Sequence, residues 1–162
     1  MVTITQPTSV RNGGWVGPTL PPGVITNFLM VDGKYEALKF KWYRSEEAGC
    51  DVGEPAIKQW IGEHWNGYLR SRWLEHLHGK TYWHELRKCV FGILKKHDHD
   101  ECLLKEIVDQ LKEGKENLDI IKWAIAEKRP LNQVNAILAD VDINSTHLKH
   151  EFEDNFNNST NN

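Results

Sequence analysis

Two of the chain's eight histidines lie beside a cysteine in the spacing His97-x-His99-x-x-Cys102. Imidazole nitrogen and thiolate sulfur are ligands that zinc prefers, usually in sets of four at a structural site. Cysteine pairs two residues apart would strengthen a zinc assignment, and the sequence has none. Asp98 or Asp100 is instead well suited to cap a following helix. We therefore predict a polar interhelical loop here, with no metal ion and no cofactor.

A second group of histidines, His76, His78 and His84, lies close to two tryptophans. His76 and His78 are two residues apart, so on a helix they point to different faces and do not easily share a ligand. The sequence also lacks a G-x-S-x-G elbow, a Walker glycine loop, a G-x-G-x-x-G fingerprint and an H-E-x-x-H pair. The residues therefore predict no catalytic site and no enzyme activity.

The composition is that of one ordinary globular domain. The chain has 162 residues, of which 40% are apolar and 27% charged, enough to bury a core without disulfides. Its three cysteines are an odd number with no paired spacing, which indicates a reducing compartment. No apolar run approaches the roughly 18 residues needed to span a bilayer. We expect a cytoplasmic protein.

Composition divides the chain into a domain and two ends. Residues 1–29 form a nearly uncharged arm that contains proline and glycine, with Trp15 as a candidate docking anchor. Residues 153–162 form an Asn-rich tail that we predict to be disordered. Residues 30–152 are the predicted helical domain.

Apolar residues in this domain recur at helical spacing nearly throughout, and no strand stands out. We predict an all-α fold, a bundle of five to seven short helices. Asp32 is a candidate cap for the first helix, Gly49 its end, and Thr81 a cap for a helix that reaches Leu94. The predicted core is Leu38, Trp42, Ile57, Trp60, Ile61, Leu69, Trp73, Trp83, Leu86, Val90, Ile107, Leu111, Ile121, Ile125, Val134 and Leu138.

The most distinctive string runs from Trp42 to Gly53 and reads WYRSEEAGCDVG. It resembles a W-[YF]-x-S-E-x-A-G-x-D-[VI]-G stretch in bacterial proteins, one family of which carries it in a helical domain of unknown function behind a kinase-like region. The resemblance implies a shared helix–turn–helix element and no known activity. In physical terms, either Asp51 caps the next helix with Glu54 in a capping box, or Pro55 opens that helix.

Charge and tryptophan are unevenly distributed. Five of the seven tryptophans lie between Trp42 and Trp83, and residues 33–96 carry 12 Lys and Arg against 8 Asp and Glu. Residues 97–162 carry 7 against 14. A basic, Trp-rich segment is either a domain core or a face on which nucleic-acid bases stack. A nucleic-acid-binding regulator using residues 39–96 is therefore the alternative function. The residues of that face would be Lys39, Lys41, Arg44, Arg87 and Lys88.

The leading interpretation is a non-enzymatic regulatory or assembly protein that acts through protein–protein contacts, with a protein partner or a second copy of itself. Tryptophans at helical spacing are more typical of a buried core than of a stacking face. Ser45 and Glu46 either bind within their own turn or face a partner. The candidate interaction residues are Trp15, Ser45, Glu46, Arg70, Arg72 and Trp123.

Overall fold

A computed structural model describes residues 22–144, which form a helical bundle with one pair of short strands. Six α-helices lie within that range, which confirms the predicted fold class. Trp15, most of the predicted arm and the whole predicted tail lie outside the described residues. The elements are β1 (Ile25–Asn27), α1 (Leu29–Ala48), α2 (Glu54–His78), β2 (Thr81–Trp83), a 3-10 turn (Lys88–Val90), α3 (Ile93–Lys96), α4 (Glu101–Lys112), α5 (Asn117–Ala126) and α6 (Leu131–Val141).

The turn between α1 and α2 lies at Gly49, as predicted. Gly49 has a φ of 71°, the left-handed conformation in which glycine commonly ends a helix, and its N–H donates to the Glu46 carbonyl at 3.4 Å. Of the two alternatives for the start of α2, the capping box of Asp51 and Glu54 is wrong, because Gly53 is the N-cap and has no side chain, whereas Pro55 does lie at the opening of the helix. The Asp51 carboxylate accepts instead from the Gly53 N–H, at 2.9 Å, and so fixes the turn before the helix.

Small side chains bring α1 close to α2. Gly33 and Ala37 are buried, and a Cβ added to Gly33 would lie 2.9 Å from the Trp65 ring. Beside them, the Tyr68 hydroxyl oxygen lies 3.1 Å from the Leu29 carbonyl oxygen. Since real Cβ atoms do not approach a ring carbon so closely, the distance between the two helices depends on glycine at this position.

The helix predicted to begin at Thr81 is wrong. The first residues of that segment form β2, which pairs in parallel with β1 so that Ile25 faces Thr81 and Asn27 faces Trp83. The Asn27 carbonyl extends the pairing by accepting from the His84 N–H at 3.1 Å. Threonine and aromatic residues favour a pleated, half-buried strand, and here a partner strand is present to supply the hydrogen bonds.

The N-terminus of α1 is capped by a residue that follows β2. The Glu85 carboxylate accepts from the Leu29 N–H, which has no acceptor within its own helix. Burial raises the pKa of Glu85, while the N–H groups of Leu29 and Met30 act in the opposite direction. Asp32 is therefore not the helix cap that we predicted. It lies within the first turn of α1 and accepts from the Tyr68 hydroxyl at 2.7 Å.

His76 organises the irregular segment between β2 and α3. Its side chain is fully buried, with Nε2 2.8 Å from the Arg87 carbonyl and Nδ1 accepting from the Trp83 N–H at 3.1 Å. This pairing places the ring proton on Nε2, since Nδ1 is an acceptor. The His76 carbonyl also accepts from the Gly92 N–H at 3.0 Å. One neutral imidazole therefore satisfies backbone groups on both sides of the loop.

The second half of the domain packs on α2 through helices α3 to α6. Asp100 caps α4 as predicted, its carboxylate accepting from the Leu103 N–H at 2.8 Å. The buried indole of Trp73 donates to the Val141 carbonyl at 2.7 Å, which ties α2 to the end of α6. A single continuous core results, because these helices share one apolar cluster with α1 and β2.

The predicted core is confirmed at half of its positions. Three members are wrong, since Leu38 is 45% exposed, Trp42 57% and Ile125 60%. In α5 the buried positions are Ile120 and Ala124, which turns Ile125 outward. The remaining five are partly buried: Ile57, Ile61, Leu69, Val90 and Ile121. The confirmed members are Trp60, Trp73, Trp83, Leu86, Ile107, Leu111, Val134 and Leu138.

Because the Gly33 backbone lies so close to the Trp65 ring, a side chain added at residue 33 should lower the free energy of unfolding. We expect Gly33→Ala to destabilise the protein by about 1–3 kcal/mol, because the new methyl group must displace the Trp65 ring. Gly67→Ala is the matched control, since nothing lies within 4 Å of its Cβ position in α2. That change should stabilise by about 0.5–1 kcal/mol through helix propensity. Urea denaturation of both variants checks the prediction, which equal effects would contradict.

Because the imidazole of His76 is buried, the free energy of unfolding should depend on pH. Burial lowers the pKa of His76 below its ordinary value of 6.5, and the Arg87 carbonyl only partly offsets this. The unfolded chain therefore binds more protons than the folded one below about pH 6.5, and the free energy of unfolding should fall as the solution is acidified. We expect His76→Gln to make this slope shallower. Urea denaturation across a pH series measures it, with His64→Gln as control; an unchanged slope would refute the assignment.

Candidate functional site

One face of α1 carries large apolar side chains that no other part of the described fold covers. Val31, Tyr35, Leu38 and Trp42 are 53%, 55%, 45% and 57% exposed, and we call these four residues the outer face. They are spaced four, three and four residues apart, so they form one stripe along the helix. Tyr43 lies beside the stripe, with its ring edge-to-face against Trp42 at 5.1 Å. Exposed apolar stripes of this kind mark interaction sites more often than isolated exposed residues do.

The C-terminal end of the outer face opens into a groove of about 530 Å³. It is built from the last turns of α1 and the turn that follows, which is the string singled out in the sequence. Apolar and charged groups alternate along its walls, so it can accept a side chain with a polar end. The lining residues are Leu38, Lys41, Trp42, Ser45, Glu46, Gly49, Cys50 and Asp51.

Ser45 and Glu46, two predicted interaction residues, differ in what they do. The Ser45 hydroxyl accepts from the Val52 N–H at 3.2 Å, so it holds the turn beneath the groove. Glu46 contributes its carbonyl to the turn through Gly49, while its side chain is exposed at the groove wall. Of the two, only the Glu46 carboxylate is placed to meet a partner.

Arg70 is bound within the domain. Its guanidinium donates to the Leu111 carbonyl at 3.3 Å, to the Lys115 carbonyl at 2.9 Å and to the Glu116 carboxylate at 2.7 Å. The first two carbonyls belong to the last turn of α4 and the loop after it. Arg70 therefore joins α2 to the α4–α5 connection.

Arg72 lies in a partly buried polar cluster between α1 and β2. Its guanidinium stacks between the rings of Tyr68 and Trp83, 4.9 Å and 5.3 Å from their centroids. It pairs with Asp32 at 3.3 Å and with Glu75 at 2.9 Å. Burial, followed by the Asp32 carboxylate, raises the pKa of Tyr68. The cluster holds α1 on α2 and presents little of Arg72 to a partner.

Trp123, the last described candidate, lies half-buried on α5. Arg129 is positioned over its ring, 5.6 Å from the centroid, and pairs with Glu106 at 2.7 Å. The indole thus has one face against the bundle and the other against an arginine. It extends the surface of α5 and α6 rather than the outer face of α1.

Two of the five cations proposed to form a nucleic-acid face are paired with acceptors. Lys41 lies 3.4 Å from Asp51, and Arg44 contacts Glu47 at 3.4 Å and Gln59 at 3.3 Å. These pairs reduce the positive field along the end of α1, which weakens the attraction for phosphate. The unpaired charges belong to two separate parts of the fold. These exposed residues are Lys39 on α1 and Arg87 and Lys88 in the loop after β2.

The histidine run between α3 and α4 contains a contact that sequence reasoning missed. Asp100 caps α4, as predicted for this loop, and Cys102 is exposed. His97 and His99, however, both contact Asp140, which lies about 40 residues further along the chain on α6. No local spacing in the sequence indicates this third residue. Only the packing of α6 against the loop brings it there.

Comparisons with protein-family models, with curated proteins and with solved structures give no match. Within residues 22–144, no helix combines the length and the apolar character that crossing a membrane requires. The outer face combines four exposed apolar side chains on one helix with an adjoining groove, and it is the candidate functional site.

The different surroundings of two tryptophans predict different effects of substitution. Trp60 is 6% exposed and contacts Trp65 and Tyr68 edge-to-face, so Trp60→Ala should destabilise the fold by about 3–5 kcal/mol through cavity formation. Trp42→Ala should change stability by less than about 1 kcal/mol, as for a surface residue. Thermal or urea unfolding of both variants measures this. A large loss for Trp42→Ala would mean that its ring is covered.

Proposed function

We propose that this chain is a non-enzymatic assembly or regulatory protein, and that it works by protein–protein contact through the outer face of α1. The observation that carries the proposal is the exposure of Tyr35, Leu38 and Trp42 on one stripe of a helix whose opposite face is packed. Tryptophan and tyrosine are also the residues that most often dominate the binding energy of protein interfaces.

The size of the outer face supports a reversible association. Aromatic side chains bury about 150–250 Å² each, so a face that is roughly half exposed offers on the order of 300–400 Å². One side of a standard interface buries about 800 Å². The groove and its rim add to the contact, but the total remains at the small end of the range. Such an interface is suited to an assembly that forms and dissociates with concentration.

The partner that fits this face best is a second copy of the same helix. Spacings of four, three and four residues are those of a coiled-coil seam. If two α1 helices pack antiparallel, Val31 lies opposite Trp42 of a second copy and Tyr35 lies opposite its Leu38. Each layer then combines one aromatic with one aliphatic side chain, and a twofold axis repeats both layers. Lys41, which flanks the seam, has its charge offset by Asp51 at 3.4 Å.

The remaining features agree with this role. The cations on which nucleic-acid binding would depend are in part paired, at Lys41 and Arg44. The three cysteines are free and exposed, as suits a reducing compartment, and we propose a cytoplasmic location. Glu46 at the groove wall gives the interface a polar rim.

Sedimentation equilibrium of the full chain over a wide concentration range tests the proposal. We expect a monomer–dimer equilibrium, and the double variant Leu38→Ser, Trp42→Ser should weaken it by roughly 30-fold or more, since each residue is an interface anchor. The matched control is Leu118→Ser, Ile125→Ser, which removes two equally exposed apolar side chains, 61% and 60%, from α5.

Two outcomes would overturn the proposal. The first is a wild-type chain that stays monomeric at the highest concentration reached, and the second is equal weakening by the control. A monomeric chain that binds oligonucleotides with a strong dependence on salt would establish the nucleic-acid alternative in its place.

A further inference from the structure

Two histidines and an aspartate converge on one point between α3, α4 and α6. His97 Nδ1 lies 2.7 Å from Asp140 Oδ2, and His99 Nε2 lies 2.6 Å from the same oxygen. All three atoms lie within 4.8 Å of one another. The two imidazole rings are 6.2 Å apart at an interplanar angle of 77°, so they meet at the carboxylate without stacking.

The backbone explains how the rings come together. The His97 N–H closes the last turn of α3 by donating to the Ile93 carbonyl at 3.0 Å, and the His99 N–H donates to the His97 carbonyl at 3.0 Å. This tight turn directs both imidazoles towards the last turn of α6, where Asp140 lies. The α3–α4 connection therefore holds the two imidazoles and α6 holds the carboxylate, and one nitrogen of each ring faces Asp140 Oδ2.

The three side chains of this cluster differ in their exposure to solvent. The His99 side chain is 9% exposed and that of Asp140 16%, whereas that of His97 is 50% exposed. Two of the groups are thus largely enclosed by the bundle, and the third is half open to solvent.

We propose that His97, His99 and Asp140 bind a divalent transition-metal ion, with zinc as the preferred ion. Two imidazole nitrogens and one carboxylate oxygen are a ligand set that zinc and its neighbours in the first transition row accept. Three protein ligands leave one tetrahedral position for water, as in open zinc sites. The ion would bind the α3–α4 connection to α6.

The change in geometry on binding is small. Zinc holds nitrogen and oxygen ligands at about 2.0–2.2 Å, which places tetrahedral ligand atoms roughly 3.3 Å apart. The nitrogen–oxygen contacts of 2.6 and 2.7 Å therefore need to lengthen by about 0.6–0.7 Å. A small rotation of the Asp140 carboxylate lengthens both contacts, and the exposed His97 ring can turn with it. Each imidazole, now donating an N–H to Asp140, would carry its proton on the other ring nitrogen once bound.

Metal titration of the full chain without a histidine tag tests the proposal. The protein is first stripped with a chelator, then titrated with Zn²⁺ in a calorimeter and with Co²⁺ by visible absorption, which reports tetrahedral coordination directly. We expect stoichiometric binding of both ions, a tetrahedral cobalt spectrum and a higher melting temperature with zinc. EDTA should reverse all three effects.

Substitution of the proposed ligands tests whether the metal ion binds at this cluster. His97→Gln and Asp140→Asn should each weaken zinc binding at least about tenfold and abolish the tetrahedral cobalt spectrum. Because His97 is half exposed, His97→Gln should fold normally, and circular dichroism checks this. The control is His64→Gln, which removes a histidine that is 52% exposed and has a single carboxylate neighbour, Glu63, at 3.7 Å.

The results that would overturn the proposal are equally definite. Absence of stoichiometric binding by the wild-type chain would show that the cluster is only a hydrogen-bonded link between loop and helix. Binding that persists in both His97→Gln and Asp140→Asn, or that His64→Gln weakens as much, would show coordination by scattered surface groups.

Discussion

The contact of Gly33 with the Trp65 ring determines how the rest of the domain is arranged. A Cβ at this position would lie 2.9 Å from the ring, so α1 can approach α2 only along the side that carries Gly33 and Ala37. The buried residues of α1 are Gly33, Ala37 and, at its start, Leu29, and the large side chains of the outer face lie away from them. The exposure of Tyr35 and Trp42 is thus the consequence of the packing and not an independent feature. The same contact that stabilises the fold creates the surface we propose for association.

Polar groups inside the aromatic core define the position of each neighbour of α2. Arg72 is held between the Tyr68 and Trp83 rings. His76 binds β2 at Trp83 through Nδ1 and the loop after β2 at Arg87 through Nε2. Apolar contacts alone tolerate sliding, whereas a buried donor or acceptor requires its partner at one distance and angle. The fully paired imidazole of His76 and the Glu85 cap of α1 therefore fix β2 to the two long helices.

The sequence predicted the features that depend on neighbouring residues. Glycine at position 49 ends α1 and Asp100 caps α4 because each acts on backbone groups within a few residues of itself. The strand at Thr81 and the exposure of Trp42 depend instead on a partner distant in the chain. Apolar periodicity shows that α1 has a hydrophobic stripe, but it does not show which of two possible faces is packed. The buried residues are Leu29, Gly33 and Ala37, of which only Leu29 has a large apolar side chain.

The distinction between features set by neighbouring residues and features set by distant ones also applies to the groove on α1 and to the histidine cluster. The groove is built within one stretch of the chain, Leu38 to Asp51, which overlaps the string singled out in the sequence, whereas the histidine cluster needs Asp140 from a helix about 40 residues away. The two sites also belong to different parts of the bundle. The outer face lies on α1, which packs chiefly against α2, while the cluster joins the connection after α3 to α6. Because α2 contacts both α1 and α3, a metal ion at Asp140 would stiffen the scaffold behind the interface without touching it. Self-association and metal binding should therefore be separable properties, coupled only through the stability of the shared core.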